Sequence, residues 1–198
     1  MRPEYSIVVP VYGCEKCLVR LVEEVRKYTV DQGKATEILL VDDCGPDNSW
    51  KVIRQLAQQH DFVKGLRLSR NFGQHMAVSA GLAEARGDYI VIMDCDLQDD
   101  PKYIPEFRKK CDEGHDIVYG EITKRKHSLF RNIGARFFNW IFNRFTDNVS
   151  GHQNVNGYVM ITQRVAKVFN TVRDYKRHYL LTYQQELAKA QSAAREEL

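Results

Sequence analysis

The sequence of 198 residues lacks any apolar run near the roughly 20 residues that a bilayer-spanning helix needs. Its first residues, Met1 to Tyr5, also lack the basic start and apolar stretch of a secretory signal peptide. The formal net charge is only +3, which argues against a nucleic-acid partner. These absences predict a protein that is soluble or lies at most on a membrane surface.

Cysteine is also scarce, with five residues at positions 14, 17, 44, 95 and 111. This odd and scattered set does not resemble the framework of a disulfide-rich secreted domain, so we expect a reducing, cytosolic compartment. Cys14 and Cys17 have the spacing of a redox pair, but no second pair completes a zinc site. We therefore do not assign redox or metal roles to the cysteines.

Apolar runs alternate with segments of helical periodicity along the first 120 residues. Strands are predicted at 6–11, 37–41, 62–68, 89–93 and 116–119, and helices at 15–28, near 50–57, at 74–86 and from 100 to about 114. Gly87 is expected to cap the third helix, and Asp100 with Pro101 to begin the fourth. The alternation predicts an α/β fold, in which a mostly parallel sheet carries helices on both faces.

The second half of the chain has a different composition. Residues 130–145 combine aromatic side chains at helical spacing with arginines, which predicts an amphipathic C-terminal helical region. A strand is expected at 156–161, a short helix from Thr162 to Asn170, and a helix-prone tail at 184–198. We predict a single domain with a ligand-binding half at 1–122, a second half at 123–183 that faces an acceptor or a membrane, and this tail.

Candidate ligand-binding residues lie at the ends of the first four predicted strands, and three of these ends offer polar or acidic groups. The candidates are Pro10 and Tyr12 after the first, Asp42 and Asp43 after the second, residues 69–73 (SRNFG) after the third, and Asp94, Asp96 and Gln98 after the fourth. Ligands of parallel α/β sheets bind outside the carboxyl ends of the strands, so these side chains are the candidate site.

Asp94 and Asp96 are two residues apart and would project to one side of an extended backbone. A hard divalent cation such as Mg²⁺ or Mn²⁺ binds such carboxylates and keeps other positions for water and phosphate. By itself an acid-x-acid triplet is a weak signal, and a solvated turn is the alternative. Asp100 is expected to begin a helix, and Asp99 is left without a role.

Several motifs together resemble the family 2 inverting glycosyltransferases of the GT-A fold. They are VVPVYG, EILLVDDCGPDNS, LSRNFGQHMAVSAGLAEARGDYIVIMDCDLQDDP and DIVYG, in this order over roughly residues 4 to 145. The likeness is greatest to the branch of dolichyl-phosphate mannose synthase and the bacterial polyprenyl-phosphate glycosyltransferases.

The resemblance implies a nucleotide-sugar donor. It places Pro10, Tyr12 and Asp42 at the base and ribose, and Asp94, Asp96 and Gln98 at the metal, Mg²⁺ or Mn²⁺, and the sugar nucleotide. Asp43, Asn71 and Gly73 join the expected nucleotide-sugar site, and Asp94 and Asp96 are the expected catalytic residues. Arg125, Ser128 and Arg131 match family positions that bind phosphate, for which the planar fork of arginine is suited.

Two features depart from the family pattern. Ile122 stands where the branch often has an arginine, and no carboxylate lies between Asp147 and Asp174, where relatives commonly carry an Asp. A sugar hydroxyl acceptor needs a positioned base, whereas a phosphate monoester is largely ionised at neutral pH. The missing acid therefore favours a polyprenyl phosphate acceptor.

Two alternatives stay open from the sequence. One is transfer to a saccharide hydroxyl, and the other is a non-catalytic paralogue that binds a sugar nucleotide or a lipid. For the preferred hypothesis, the aromatic and basic helix at 130–145 indicates a peripheral protein on the cytoplasmic membrane face, alone or with a membrane-protein partner.

Overall fold

The structure is a computed structural model that describes residues 2–121 and 155–171. Its strands are β1 Tyr5–Val11, β2 Thr36–Asp42, β3 Val63–Arg67, β4 Tyr89–Ile92, β5 Ile117–Glu121 and β6 Val155–Thr162. Its α-helices are α1 Leu18–Tyr28, α2 Ser49–Gln59, α3 Gln74–Glu84, α4 Ile104–Asp112 and α5 Gln163–Thr171. Two short 3₁₀-helices occupy Val30–Gln32 and Pro101–Tyr103.

The strands form one mixed sheet in the order β3-β2-β1-β4-β6-β5. β1 pairs in parallel with β2 and β4, and β2 pairs in parallel with β3. β6 runs antiparallel to β4, with Ile90 opposite Ile161. The predicted α/β class with a largely parallel sheet is confirmed, and β6 adds the antiparallel member.

The chain divides into two compact units. One comprises Met1–Tyr119 and Gly157–Leu198, and the other comprises Gly120–Asn156. In the second unit the structure describes only the end of β5 and the start of β6. The predicted boundaries at residues 122 and 183 stay predictions.

Side chains of the central strands alternate between two apolar clusters, as the period of a strand requires. In β1, Ile7 and Val9 face one cluster, which α1, α2 and α4 cover, while Val8 faces the other, which α3 and α5 cover. These three side chains are fully buried. Each such burial contributes about 1.5 to 3 kcal/mol, so the two-sided cover explains the uninterrupted apolar strands in the sequence.

The third helix ends earlier than predicted, and Gly87 does not cap it. α3 ends at Glu84, and Ala85 already has extended backbone. Gly87 instead lies against β1, where its N–H donates to Ser6 Oγ over 2.7 Å and an added Cβ would lie 2.5 Å from Ser6 N. The glycine is needed for this close approach of two backbones.

The start of the fourth helical segment agrees with the sequence. Asp100 accepts a hydrogen bond from the Lys102 N–H, and Pro101 follows at the first helical position. The first turn is a 3₁₀-helix, and α4 continues from Ile104. By contrast, the predicted helix at 130–145 and the tail at 184–198 lie outside the described residues. Within the described ranges, every helix is too short or too polar to cross a bilayer.

Candidate functional site

The carboxyl ends of β1, β2, β3 and β4 meet at one edge of the sheet because these strands are parallel. Residues at and after the ends of all four strands, with Gln74 at the start of α3, line an open cavity of about 400 Å³. It is lined by Pro10, Val11, Tyr12, Cys14, Asp43, Asn71, Gly73, Gln74, Asp94, Cys95 and Asp96. Seven of the predicted site residues therefore lie together: Pro10, Tyr12, Asp43, Asn71, Gly73, Asp94 and Asp96.

Asp94 and Asp96 stand on a tight turn after β4. The backbone N–H of Asp94 donates to Asp99 Oδ2 over 2.8 Å, and the N–H of Gln98 donates to Asp96 Oδ1 over 3.0 Å. Leu97 has a φ of 65°, the left-handed conformation that a residue with a Cβ rarely adopts. Asp96 is exposed, while Asp94 is partly buried in the cavity wall.

The Asp94 carboxylate is held by a residue that the sequence analysis did not select. Gln74 Nε2, at the start of α3, donates to Asp94 Oδ1 over 2.7 Å. Burial and the neighbouring Asp96 charge raise the pKa of Asp94, against the lowering effect of the Gln74 hydrogen bond. A cation beside the two carboxylates would relieve both of the effects that raise the pKa. Its position directly after the selected segment SRNFG is the sequence signal that could have identified Gln74.

Asp43 binds backbone from the loop before α3. It is 3% exposed, and its two oxygens accept hydrogen bonds from the N–H groups of Phe72 and Gly73, each over 2.8 Å. Gly73 N–H also donates to Asn71 Oδ1 over 3.0 Å. The carboxylate therefore fixes the loop that carries Asn71 and Gly73 into the cavity wall.

Asp42 does not line this cavity. Its side chain is 1% exposed, Oδ1 accepts from the Gly45 N–H over 3.4 Å, and Arg67 Nε lies 3.1 Å from Oδ2. Burial raises the pKa of Asp42, more than the Gly45 N–H and the Arg67 charge lower it. Its predicted contact with the nucleotide base stays a prediction.

Tyr12 lies at the mouth of the cavity with 54% of its surface exposed, which leaves a ring face open to a planar ligand. The loop that follows it is tied to the loop after β2, because Asp47 Oδ2 accepts from the Glu15 N–H over 2.9 Å. Burial opposes ionisation of Asp47, but hydrogen bonds from Glu15 and Ser49 hold its pKa below the ordinary value.

Cys14 and Cys95, both in the cavity lining, form a disulfide, a pairing that the sequence analysis did not predict. The two residues are 81 apart in sequence, yet they follow the neighbouring strands β1 and β4. Strand adjacency, which the cysteine count does not reveal, brings them together. Cys17, Cys44 and Cys111 are free thiols.

The predicted metal ligands are only partly assembled. Among residues 2–121 and 155–171, no group of three or more His, Cys, Asp or Glu side chains could hold a metal ion. Asp94 and Asp96 share the cavity, whereas Gln98 is exposed and outside its lining. Two carboxylates fit a hard cation that keeps positions for water and phosphate. The predicted phosphate ligands Arg125, Ser128 and Arg131 lie outside the described residues.

Comparison with known proteins identifies sequence relatives over most of the chain. The family model described as Glycosyl transferase family 2 matches residues 6–185. The undecaprenyl-phosphate 4-deoxy-4-formamido-L-arabinose transferases of Salmonella paratyphi B and Salmonella newport are each 37% identical over 147 residues. The match covers 74% of this chain and 45% of each relative, so the chain spans less than half the length of these relatives.

Solved structures share the fold at low sequence identity. S. aureus TarS 1-349 in complex with UDP-GlcNAc is 17% identical with a TM-score of 0.58, covering 83% of this chain and 46% of that chain. Glucosyl-3-phosphoglycerate synthase from Mycobacterium tuberculosis, in complex with Mn²⁺, UDP and phosphoglyceric acid, is 16% identical with a TM-score of 0.59. That match covers 82% of this chain and 57% of the other. These likenesses confirm the expected fold class.

Proposed function

The chain belongs to glycosyl transferase family 2, and from this we propose that it transfers a sugar from a nucleotide-sugar donor to a polyprenyl phosphate. The observation that carries the proposal is the cavity at the carboxyl edge of the sheet. Asp94 and Asp96 line it together with Pro10, Tyr12 and Asn71, and this shared lining supports a donor site there.

The nucleotide is proposed to lie along the cavity from Tyr12 toward the acidic turn. Tyr12 offers its exposed ring to the base, and Pro10 forms the wall beside it. Asp43 holds the loop that carries Asn71 and Gly73 into the cavity wall, by its hydrogen bonds from the N–H groups of Phe72 and Gly73. UDP is the first candidate, since a structural neighbour was solved with UDP-GlcNAc, and GDP is the second.

Asp94 and Asp96 would hold Mg²⁺ or Mn²⁺, with Gln98 as a further expected ligand. When bound, the cation would neutralise the diphosphate and make it a better leaving group. Gln74 contributes by holding the Asp94 carboxylate in the cavity wall through its 2.7 Å hydrogen bond. A structural neighbour contains Mn²⁺, which agrees with this choice of metal.

The proposed reaction is a single inverting displacement. An oxygen of the acceptor phosphate forms a bond to the anomeric carbon, while the bond from that carbon to the diphosphate oxygen breaks. The nucleoside diphosphate leaves with the electron pair of that bond. A phosphate monoester has a second pKa of about 6 and is ionised at neutral pH, so no protein base must remove a proton.

The acceptor is inferred from two separate observations. The Salmonella relatives are named as undecaprenyl-phosphate transferases, and they match 74% of this chain. In addition, the sequence has no carboxylate between Asp147 and Asp174, which suits an acceptor that is already ionised. Arg125, Ser128 and Arg131 are proposed to bind its phosphate.

A lipid acceptor places the protein at a membrane. We expect peripheral binding to the cytoplasmic membrane face through the basic and aromatic segment at 130–145. A membrane-protein partner could supply the same proximity. Binding of the chain to vesicles that contain anionic lipids distinguishes these two arrangements.

The test is a panel of donors and acceptors with the purified chain. UDP- and GDP-sugars are incubated with Mg²⁺ or Mn²⁺ and either a short polyprenyl phosphate, the corresponding polyprenol or an oligosaccharide. The expected product is a glycolipid formed from the polyprenyl phosphate alone, detected by mass spectrometry. Transfer to the oligosaccharide would favour a saccharide acceptor, and nucleotide binding without turnover of any donor would favour a non-catalytic protein.

A further inference from the structure

The acidic turn after β4 contains a third carboxylate, Asp99, that the proposed reaction does not use. Asp99 is 4% exposed and lies outside the lining of the donor cavity. Its Oδ2 accepts a hydrogen bond from the backbone N–H of Asp94 over 2.8 Å. The side chain therefore closes the turn by binding its first residue.

The conformation of the turn needs such a restraint. Leu97 has a φ of 65°. This left-handed conformation costs about 1 to 2 kcal/mol for a residue with a Cβ, relative to its ordinary conformations. Such conformations persist only when surrounding contacts hold them. Leu97 packs against the apolar cluster that α1, α2 and α4 cover, and Asp99 fixes the backbone of Asp94 through its hydrogen bond.

A residue of β6 also forms a hydrogen bond to this turn. Tyr158, 3% exposed, donates its hydroxyl hydrogen to the carbonyl oxygen of Asp100 over 3.0 Å. Its ring packs against Phe107 of α4 with a centroid separation of 4.8 Å. The turn is thus closed on itself by the bond from Asp94 to Asp99 and attached to β6 at Asp100, while the Asp94 and Asp96 side chains lie in the cavity.

We propose that Asp99 is a positioning residue, which fixes the backbone of Asp94 so that the Asp94 and Asp96 carboxylates are set for the metal and the donor diphosphate. This rests on the proposed function of the cavity. Its action is through a hydrogen bond to an N–H and not through its negative charge. Removing a group that holds a metal-binding residue in place, without touching the metal itself, typically changes metal affinity by about 10- to 100-fold.

Two substitutions at Asp99 separate the hydrogen bond from the charge. Asp99→Asn keeps an oxygen that can accept from the Asp94 N–H but removes the charge, and Asp99→Leu removes both. The control Tyr158→Phe removes the bond to the Asp100 carbonyl and leaves the Asp94 N–H bonded. A second control, Asp100→Asn, alters the neighbouring acid that caps the 3₁₀-helix.

Dissociation constants for Mn²⁺ in the presence of UDP or GDP are measured by electron paramagnetic resonance, with thermal unfolding of each variant in parallel. Asp99→Leu should weaken Mn²⁺ binding by about tenfold or more, and Asp99→Asn should stay within about twofold of the wild type. Tyr158→Phe should lower the unfolding temperature and weaken Mn²⁺ binding less than Asp99→Leu does, because the Asp94 N–H keeps its acceptor.

Two results would overturn this inference and leave the proposed function standing. In the first, Asp99→Asn binds Mn²⁺ as weakly as Asp99→Leu does, which assigns the effect to the charge. In the second, Asp99→Leu binds Mn²⁺ as tightly as the wild type does. A wild-type protein that binds neither Mn²⁺ nor nucleotide would overturn the proposed function as well, because no metal site would exist to be positioned. If the wild type turns over a donor, kcat should be lower in Asp99→Leu than in the wild type and close to the wild-type value in Asp99→Asn.

Discussion

At the scale of single residues, neighbouring carboxylates in the sequence have different roles in the structure. Asp94 and Asp96 line the cavity, Asp99 binds a backbone N–H and Asp100 caps a helix. The sequence predicted the first two and the last, because strand ends and Asp-Pro pairs have local signatures. The role of Asp99 could not be predicted, since it depends on which N–H the folded turn brings within reach.

The hydrogen bonds between Asp43 and the loop before α3 could not be predicted for the same reason, and its expected contact with the nucleotide stays a prediction. We predict that Asp43→Ala releases the loop of Phe72 and Gly73, because two backbone N–H groups lose their acceptor. The free energy of unfolding should fall by about 1 to 3 kcal/mol, and UDP or GDP affinity should fall as well. Urea denaturation and calorimetric titration measure these, with the exposed Asp61→Ala as control. Unchanged nucleotide affinity would contradict the role of this loop in the donor site.

Glu37 is a buried carboxylate at the opposite edge of the sheet. It accepts hydrogen bonds from Ser6 Oγ over 2.6 Å, Lys64 Nζ over 2.7 Å and the Arg86 N–H over 2.8 Å. Burial alone would raise its pKa, but these bonds hold the pKa below the ordinary value of 4.5. Its contribution to stability is therefore complete above pH 4.5 and is lost as the pH falls through the lower folded value.

We predict that the free energy of unfolding decreases in acid partly through Glu37. Glu37→Gln should lower stability at pH 7 by about 1 to 3 kcal/mol and should flatten the loss below pH 4.5. Urea denaturation from pH 7 to pH 3 measures both effects, with the exposed Glu84→Gln as control. A variant with the same acid profile as the wild type would show that Glu37 is not responsible.

At the scale of helices and strands, the sequence predicted the order of the elements well. The strands were found within two residues of their ends, most clearly β1, β2 and β4, whose apolar runs are covered on both faces of the sheet. Errors arose where tertiary contact decides the outcome. Gly87 was taken for a helix cap, but it is required by the approach of Ser6.

The disulfide is the other feature that pairing of elements decides. Cys14 and Cys95 close a loop of 81 residues between the segments after β1 and β4. In the chain-entropy model such a bridge stabilises the fold by about 4 kcal/mol. We predict that reduction by dithiothreitol lowers the unfolding temperature of the wild type and of Cys17→Ser, and has little effect on Cys95→Ser.

Alkylation of the denatured protein provides a direct count of the thiols. The oxidised protein should take up three alkyl groups, at Cys17, Cys44 and Cys111, and the reduced protein five. Five groups before reduction would show that the bridge does not form in solution. That result would agree with the reducing compartment that the cysteine pattern predicts.

At the scale of the whole molecule, the GT-A fold and the family predicted from the motifs are both confirmed. The proposed donor site was the more predictable, because its residues follow strands whose ends lie at one edge of the sheet. The acceptor half was not, because residues 123–154 carry few motifs and lie outside the described structure. The acceptor therefore rests on the named relatives and on the missing carboxylate.

We propose above all that Asp94 and Asp96 are needed for the transfer of a sugar to a polyprenyl phosphate. The most direct measurement is the rate of glycolipid formation by the wild type, Asp96→Ala and the exposed control Asp61→Ala, with the best donor and Mn²⁺. We predict a product that depends on metal and phosphate acceptor, a rate lowered by about a hundredfold or more in Asp96→Ala, and an unchanged rate in Asp61→Ala. Equal rates in the wild type and Asp96→Ala would contradict the account.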